Sequence, residues 1–524
     1  MIFRSRTFLT GLIALTFFSA PLTARQWVFK GIPDPVEADL VGANNGFVLL
    51  RGDNGISSEV PFANFTPANQ EFIKLATANP AKRKAITPGE PVESSRRYEI
   101  KKAEALPGTF LSIGGATEVH LTGGGDPLRG SSVNFTASDG WLFFEKLKPS
   151  VVISGFLDRM LVAGAPAELD KNIRVVAYGP GAVVIPHGPD FAALTLFENG
   201  GLGGKSMPLQ CYTKYGAEKL GEMVDAASSF VLKRGYTATL AENEDGTGVS
   251  RNYVAQDHDL VFEKMPEGLD AGVRFVRVFP WRWTSKKGIA GGIHGNLNVA
   301  WFYDWNIGAS STPDLEYVAI KQKQYWPGMD QDWKAKGINH LLGFNEPDRP
   351  DQAKMTVDQA IKGWPELQRT GLRLGSPVTS DGGLGWLYEF MDRADKEGLR
   401  VDFVVVHYYR GVGNPRDAKG AANQLKNYLQ QVHDRTKRPL WVTEWNNGAN
   451  WTTTPDPNEK EQRDTIKAMI EMMDETPFVE RYALYNWVEP VRELVRKDGS
   501  LTPAGEIYRD QVSPVFFQQP KSGK

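Results

Sequence analysis

Apolar and polar positions change rhythm along the chain, and each rhythm predicts a different kind of element. Residues 25–76, including "DLVGANNGFVLLRGDNGISSEV", alternate in short runs broken by Asn45-Gly46 and Asp53-Asn54-Gly55. Those are the residues of tight hairpin turns, so a small barrel of short strands is predicted. Residues 77–104 are charged and proline-bearing with little apolar periodicity, and read as a linker. Further short β-type runs fill 105–190, among them "VNFTASDGWLFFEKL" and "NIRVVAYGPGAVVIPHG". Between 191 and 280 a pattern recurs: "ALTLFENGGLGGKSMPL" with "DAASSFVLKRG" returns weakly as "ATLAENEDGTGVSRNY" with "LDAGVRFVRVF".

After residue 285 apolar runs alternate with helical stretches, the texture of repeated βα units and a parallel sheet. Candidate strands are "LNVAWFYDW" (297–305), "EYVAIKQ" (316–322), "INHLLGFNEP" (338–347), "LRLGSPV" (372–378), "VDFVVVHYY" (402–409), "RPLWVTEW" (438–445) and "RYALYNWV" (481–488). A first strand near "KKGIAGG" completes a set of eight. The fold class read from this pattern is α/β: a C-terminal (β/α)8 TIM barrel over 285–515 behind all-β domains. In such a barrel the functional loops lie at the C-terminal ends of the strands.

Composition narrows the partners. The 60 basic and 62 acidic residues leave a formal net charge of -2, which argues against nucleic acid or an anionic membrane surface as partner. Aromatic residues are 11% of the chain and 14 residues are Trp, which suits stacking on flat apolar faces such as those of sugar rings. Residues 1–24 carry Arg4 and Arg6, an apolar stretch and then small residues, the layout of a secretory signal. A secreted protein, extracellular or periplasmic, is therefore expected. No later run is long and apolar enough to predict a membrane span. Cys211 is the only cysteine, so neither an intrachain disulfide nor a cysteine-rich metal site is available.

Candidate chemistry collects at the predicted strand ends: Asp304 and Asn306, Asn345 and Glu346, His407 and Tyr408, Glu444, Asn486 and Trp487. Glu346 alone has two readings, an acidic group at a helix start or a catalytic carboxylate. Glu444, on the seventh strand, changes the balance, because carboxylates on the fourth and seventh strands can face each other across a barrel mouth. Two carboxylates about 5 to 5.5 Å apart are what a retaining glycosidase needs, one as acid then base and the other as nucleophile. His407 reads either as part of this site or as a core histidine among tyrosines. Trp301, Trp305, Trp326, Trp386, Trp445 and Trp451 divide between core and cleft roles, with Trp445 and Trp451, flanking "EWNNGANW", the better candidates for sugar stacking. No Gly-x-Ser-x-Gly elbow occurs.

Three resemblances add to this reading. The motifs "RQW", "EADLV", "GFVLLRGDNG" and "VPFANFTPANQEFI" in 25–76 resemble the Sla-type homology domain, an SH3-like small barrel, which implies scaffolding and supplies no chemistry. The paired halves of 191–280, with Gly204 and Ser206 in the hairpin and Asp225, Ser228 and Ser229 matching Asp-x-x-Ser-Ser, resemble a βγ-crystallin-like Greek-key β-sandwich. That resemblance implies a structural calcium near Asp225 and Ser229, although Val224 and the missing Ser-Ser after Asp270 depart from the pattern. The ordered run "WFYDW", "LLGFNEPD", "LGSPV", "VVVHYY", "WVTEWN", "YNWVEP" and "LTPAGEIY" resembles glycoside hydrolase family 128 of clan A, the endo-β-1,3-glucanases. This implies Glu346 as acid/base, Glu444 as nucleophile, Asn345 on the sugar 2-hydroxyl, His407 and Tyr408 positioning the nucleophile, and Trp487 under the attacked sugar, with β-glucan as partner and no metal or cofactor in the chemistry. A retaining glycosidase on another β-glycan, and a carbohydrate-binding protein on a barrel scaffold, remain the alternatives.

Overall fold

The computed structural model describes residues 25–30, 34–44, 46–52, 57–70, 73, 96–100, 110–114, 117–128, 131–188, 191–511, 513 and 516–519. The secretory signal expected over 1–24 lies outside them, as does most of the stretch read as a linker. The chain divides into two compact units, one of residues 1–175 and 181–191, the other of 176–180 and 192–524.

The first unit opens with antiparallel strands at Arg25–Trp27, Val36–Asn44, Phe47–Arg51 and Ser57–Pro61. Their alternation buries Val48, Leu50 and Val60 against Trp27, Phe29 and Phe65, a core of its own. Gly46 takes φ +88° in the first hairpin turn, which only glycine adopts without strain. A second core, around Leu111, Val133, Phe135, Leu142 and Phe144, belongs to the stretch after residue 105. Here the strands pair in parallel and alternate between two sheets: Phe110–Ile113 lies beside Ser132–Phe135, while Thr117–Leu121 lies beside Trp141–Phe144. That is the winding of a short solenoid. The boundary drawn at 77–104 does not separate two sheets. Ser57–Pro61 pairs with Phe110–Ile113, and a strand at Arg96–Ile100, inside that stretch, pairs with Thr117–Leu121. The two cores are distinct, but backbone pairing runs from one to the other.

In the second unit residues 194–280 form two four-stranded sheets of antiparallel strands, the layout of a sandwich. Its two hairpins match: Glu198 accepts the Lys205 N–H at 3.1 Å, and Glu242 accepts the Val249 N–H at 3.1 Å, with Gly204 and Gly248 both at φ +75°. The oxygens read as calcium ligands are committed within the chain. Both carboxylate oxygens of Asp225 accept from Arg274 at 2.8–3.0 Å, and Ser229 Oγ donates to the Asn199 carbonyl at 2.5 Å. A calcium ion at Asp225 would have to displace a guanidinium, so these residues do not fit one as they stand. The sandwich braces the next region through Arg277, which donates to the Thr370 carbonyl (2.8 Å), and through its Pro280 carbonyl, which accepts from Asn339 (2.6 Å).

The remaining strands are parallel. In order they are Lys287–Ala290, Trp301–Tyr303, Glu316–Ile320 (interrupted at Val318), His340–Leu342, Arg373–Leu374, Val404–Tyr408, Leu440–Trp445 and Val479–Leu484. Ladder pairing joins every neighbouring pair except the fifth and sixth, and Val479–Leu484 pairs back with Lys287–Ala290. The arrangement is a TIM-like ring rather than one continuous sheet. Six strands form one sheet and three another, the third strand giving Glu316–Tyr317 to the first and Ala319–Ile320 to the second, and isolated bridges, Gly375 to Phe403 and Thr379 to Val406, span the remaining gap. The interruption has a local cause: Pro377 lacks an N–H for the ladder, and Ser376 Oγ takes the Val405 N–H instead at 2.9 Å. Trp301, Val318, Leu342, Phe403 and Trp441 fill the ring. Helices Val357–Gln368, Leu384–Lys396, Ala418–Thr436 and Glu459–Glu475 cover it, each burying one apolar stripe.

Candidate active site

The fourth ring strand ends at Leu342, and three residues on, Asn345 makes a single bridge to Val378. The chain then breaks at Glu346, whose φ of +41° is an uncommon conformation for a residue with a Cβ. Backbone bonds hold it there: its N–H donates to the Val378 carbonyl at 2.7 Å, and its own carbonyl accepts from Arg349 at 3.0 Å. Pro347 follows in a turn, and the next helix of more than one turn starts only at Val357, so no helix start explains this carboxylate. Glu444 sits inside the seventh strand, buried like all its neighbours there.

The two carboxylates meet at the C-terminal end of the ring. A carboxylate oxygen of each, together with one ring nitrogen of His407, lies within 4.8 Å of the others. Nδ1 of His407 is 2.9 Å from Glu346 Oε1 and 3.6 Å from Glu444 Oε2. Glu444 is further held by three donors: Tyr303 OH at 3.0 Å and Trp305 Nε1 at 2.7 Å on Oε1, and Tyr409 OH at 2.6 Å on Oε2. Burial and then the charge of Glu444 raise the Tyr303 and Tyr409 phenols well above their ordinary value, so both remain donors.

Charge is distributed unevenly over the three groups. Burial pushes the Glu346 carboxyl up, but the hydrogen bond and charge of His407, with Arg349 behind, outweigh it and hold the carboxyl below its usual range. Burial pushes His407 down, and the charge of Glu444 together with the Glu346 hydrogen bond outweighs that and raises it. Burial thus favours a neutral Glu346, while the His407 hydrogen bond and charge favour its ionised form, and the two carboxylates together favour the cationic form of His407. These three side chains also form the donor set a cation would meet, but the His407 nitrogen facing both carboxylates is already bonded to Glu346.

Strand alternation sorts the other sequence-derived candidates. His407 and Tyr409 face the site, so Tyr408 between them points outward and packs against Tyr428 at 5.3 Å. Trp445, next to Glu444, likewise points away and is fully buried against Tyr482 and Tyr508. Neither can stack on a sugar. Trp305, with φ +58°, faces Glu444 as a hydrogen-bond donor. Trp487 and Trp451 are 43% and 53% exposed. Each stands one ring away from Glu444: Trp487 meets Trp305 at 5.8 Å, and Trp451 meets Tyr409 at 5.0 Å. Trp487 also covers Gly291, where a Cβ would fall 2.1 Å from its ring. Asn345 is buried, with Nδ2 3.3 Å from Gln352 Oε1 and Oδ1 without a partner among the described residues. Tyr303 and Tyr409 escaped the sequence reading, although "WFYDW" and "HYYR" place each two residues from a residue already selected.

Comparison with known proteins agrees in region. Residues 280–508 match the family model described as the glycosyl hydrolase catalytic core. Alkali-sensitive linkage protein 1 of Schizosaccharomyces pombe is 27% identical over 231 residues, 41% of this chain and 40% of that protein; the chain thus spans well under half the length of this curated relative. Among solved structures, a GH128 subgroup I endo-β-1,3-glucanase from Amycolatopsis mediterranei in complex with laminaritriose is 34% identical, covering 43% of this chain and 98% of that one, with a TM-score of 0.38. A GH128 subgroup VII oligosaccharide-binding protein from Trichoderma gamsii is 22% identical over 44% of this chain and 94% of that one, with a TM-score of 0.35. Across residues 280–508 this chain is therefore similar to a glycosyl hydrolase catalytic core.

Proposed function

We propose that this protein is a secreted retaining endo-β-1,3-glucanase, with Glu444 as nucleophile and Glu346 as acid/base. The observation that carries the mechanism is the approach of the two carboxylates, with oxygens within 4.8 Å. Oxygens that close let both carboxylates act on one glycosidic bond, which supports a retaining pair. The β-1,3 linkage rests on the ordered run of motifs from "WFYDW" to "LTPAGEIY" that resembles family 128. The amino-terminal signal motif supports secretion.

In the first step Glu444 attacks the anomeric carbon and an acid protonates the leaving oxygen. Tyr303, Trp305 and Tyr409 fix the direction of attack. Bond formation consumes the charge on Glu444, and that charge is the main support for the proton on His407. As it disappears, the proton passes along the 2.9 Å bond to Glu346, which delivers it. Glu346 then takes a proton from the water that opens the ester. Trp487 and Trp451 offer faces to the sugars on either side of the nucleophile. The sandwich, crystallin-like in its matched hairpins, braces the catalytic region, and the Sla-type region serves to attach the enzyme to a partner surface.

The test is hydrolysis of soluble β-1,3- and β-1,4-glucans followed by NMR of the first products. Cleavage of the β-1,3-glucan with β-configured products is expected. Inverted products would overturn the mechanism, cleavage of the β-1,4-glucan alone would overturn the linkage, and no turnover on any glycan would leave a binding protein.

A further inference from the structure

We infer that Tyr325 and Trp326, on the loop after the third ring strand, form an outer glucosyl-binding platform; the inference rests on the glucanase reading. Tyr325 is 86% exposed and Trp326 is 45% exposed, and Tyr325 is the most exposed of the large apolar side chains described. Exposing an aromatic ring of that size brings no folding gain, and two in succession need a reason outside the fold.

The loop that carries them is fastened. Lys323 and Trp326 exchange backbone hydrogen bonds of 2.8 and 3.2 Å, which leaves Gln324 and Tyr325 at the tip. Lys321, buried at the root, donates to the Pro327 carbonyl and to Glu366, both at 2.9 Å. The root also fixes where the loop stands. The carbonyl of Gln322 accepts the N–H of Asn345 at 3.0 Å, so the hairpin rises from the rim beside Glu346, while Trp451 and Trp487 stand beside Glu444. Exposed aromatics thus stand on loops rooted beside both carboxylate-bearing strands. A glucan chain running across the cleft offers successive apolar ring faces, and a fixed exposed Tyr-Trp pair is complementary to one or two of them. Short substrates that span only the cleavage site do not reach it.

The experiment compares wild type, Tyr325→Ala/Trp326→Ala and Tyr325→Phe/Trp326→Phe on a soluble β-1,3-glucan and on a short aryl β-1,3-glucoside. About tenfold loss of kcat/KM on the polymer, arising in KM, is expected for the alanine pair, with the aryl substrate unchanged and the phenylalanine pair restored. Equal loss on both substrates, or none on the polymer, overturns the platform. Retardation of the Glu444→Gln protein in a glucan-containing gel, with and without the alanine pair, separates the two readings. If wild type turns over neither substrate, the glucanase reading fails, while a loss of retardation on alanine substitution still supports the platform and its absence overturns it.

Discussion

Nε1 of Trp305 donates to Oε1 of Glu444 over 2.7 Å, from a residue held at φ +58°. A backbone conformation that side chains rarely take is maintained where it aims an indole N–H at a carboxylate. Replacing Trp305 with Phe keeps the ring packing on Trp487 and removes the donor. A hydrogen bond to a charged group contributes about 1.5–3 kcal/mol, so kcat is expected to fall by about 10- to 100-fold while KM for short substrates changes little. Steady-state kinetics on an aryl β-1,3-glucoside checks this; an unchanged kcat would show that Tyr303 and Tyr409 orient Glu444 without help.

How much of this was readable beforehand depends on the range of the interactions. The carboxylate pair was legible because each Glu ends or lies in an apolar run, and strands four and seven bring such ends together whatever the intervening helices do. Tyr408 and Trp445 were misplaced by one residue. They sit beside the residues that matter, and a strand sends neighbours to opposite faces, so His407 implied Tyr409 and Glu444 excluded Trp445. The solenoid winding of 110–144 was not legible, because alternation predicts a strand without naming its partner. Arg274 as the group that occupies Asp225 was hidden for a similar reason, 49 residues apart in sequence.

His407 sets the pH behaviour of the site. Its pKa is raised, so its contribution to stability is complete below the ordinary histidine value and is lost as pH climbs through the raised one. Glu346 is lowered, so its contribution is complete above the ordinary glutamate value and is lost as pH falls through the depressed one. The paired state is therefore fullest between about pH 4.3 and 6.5. His407→Asn removes the stored proton. It is expected to lower kcat/KM by about 100-fold or more, to move the alkaline limb of the pH–rate profile to lower pH, and to flatten the decline in melting temperature above pH 6.5. A variant with the wild-type alkaline limb would place the proton elsewhere.

Arg492 fastens the two loops that present Trp451 and Trp487. Its side chain is fully buried, with Nε on the Asn447 carbonyl at 2.6 Å, Nη2 on the Pro455 carbonyl at 2.9 Å, and Nη1 on Asp456 at 2.9 Å and against Glu489. The acceptors come from the loops after the seventh and eighth strands, so one guanidinium sets the spacing of both indoles about Glu444. Arg492→Ala leaves buried acceptors unpaired and is expected to destabilise the protein by about 3–5 kcal/mol. Arg492→Lys is the sharper test, because an ammonium retains the charge but cannot reproduce the planar fork. It is expected to fold, to keep kcat on an aryl glucoside, and to raise KM on the polymer several-fold as Trp451 and Trp487 lose their fixed separation. If the lysine variant binds polymer as tightly as wild type, the loops are held by Asn446 and Gln462, which bond to each other and to the same Arg492 carbonyl, and the guanidinium serves stability alone.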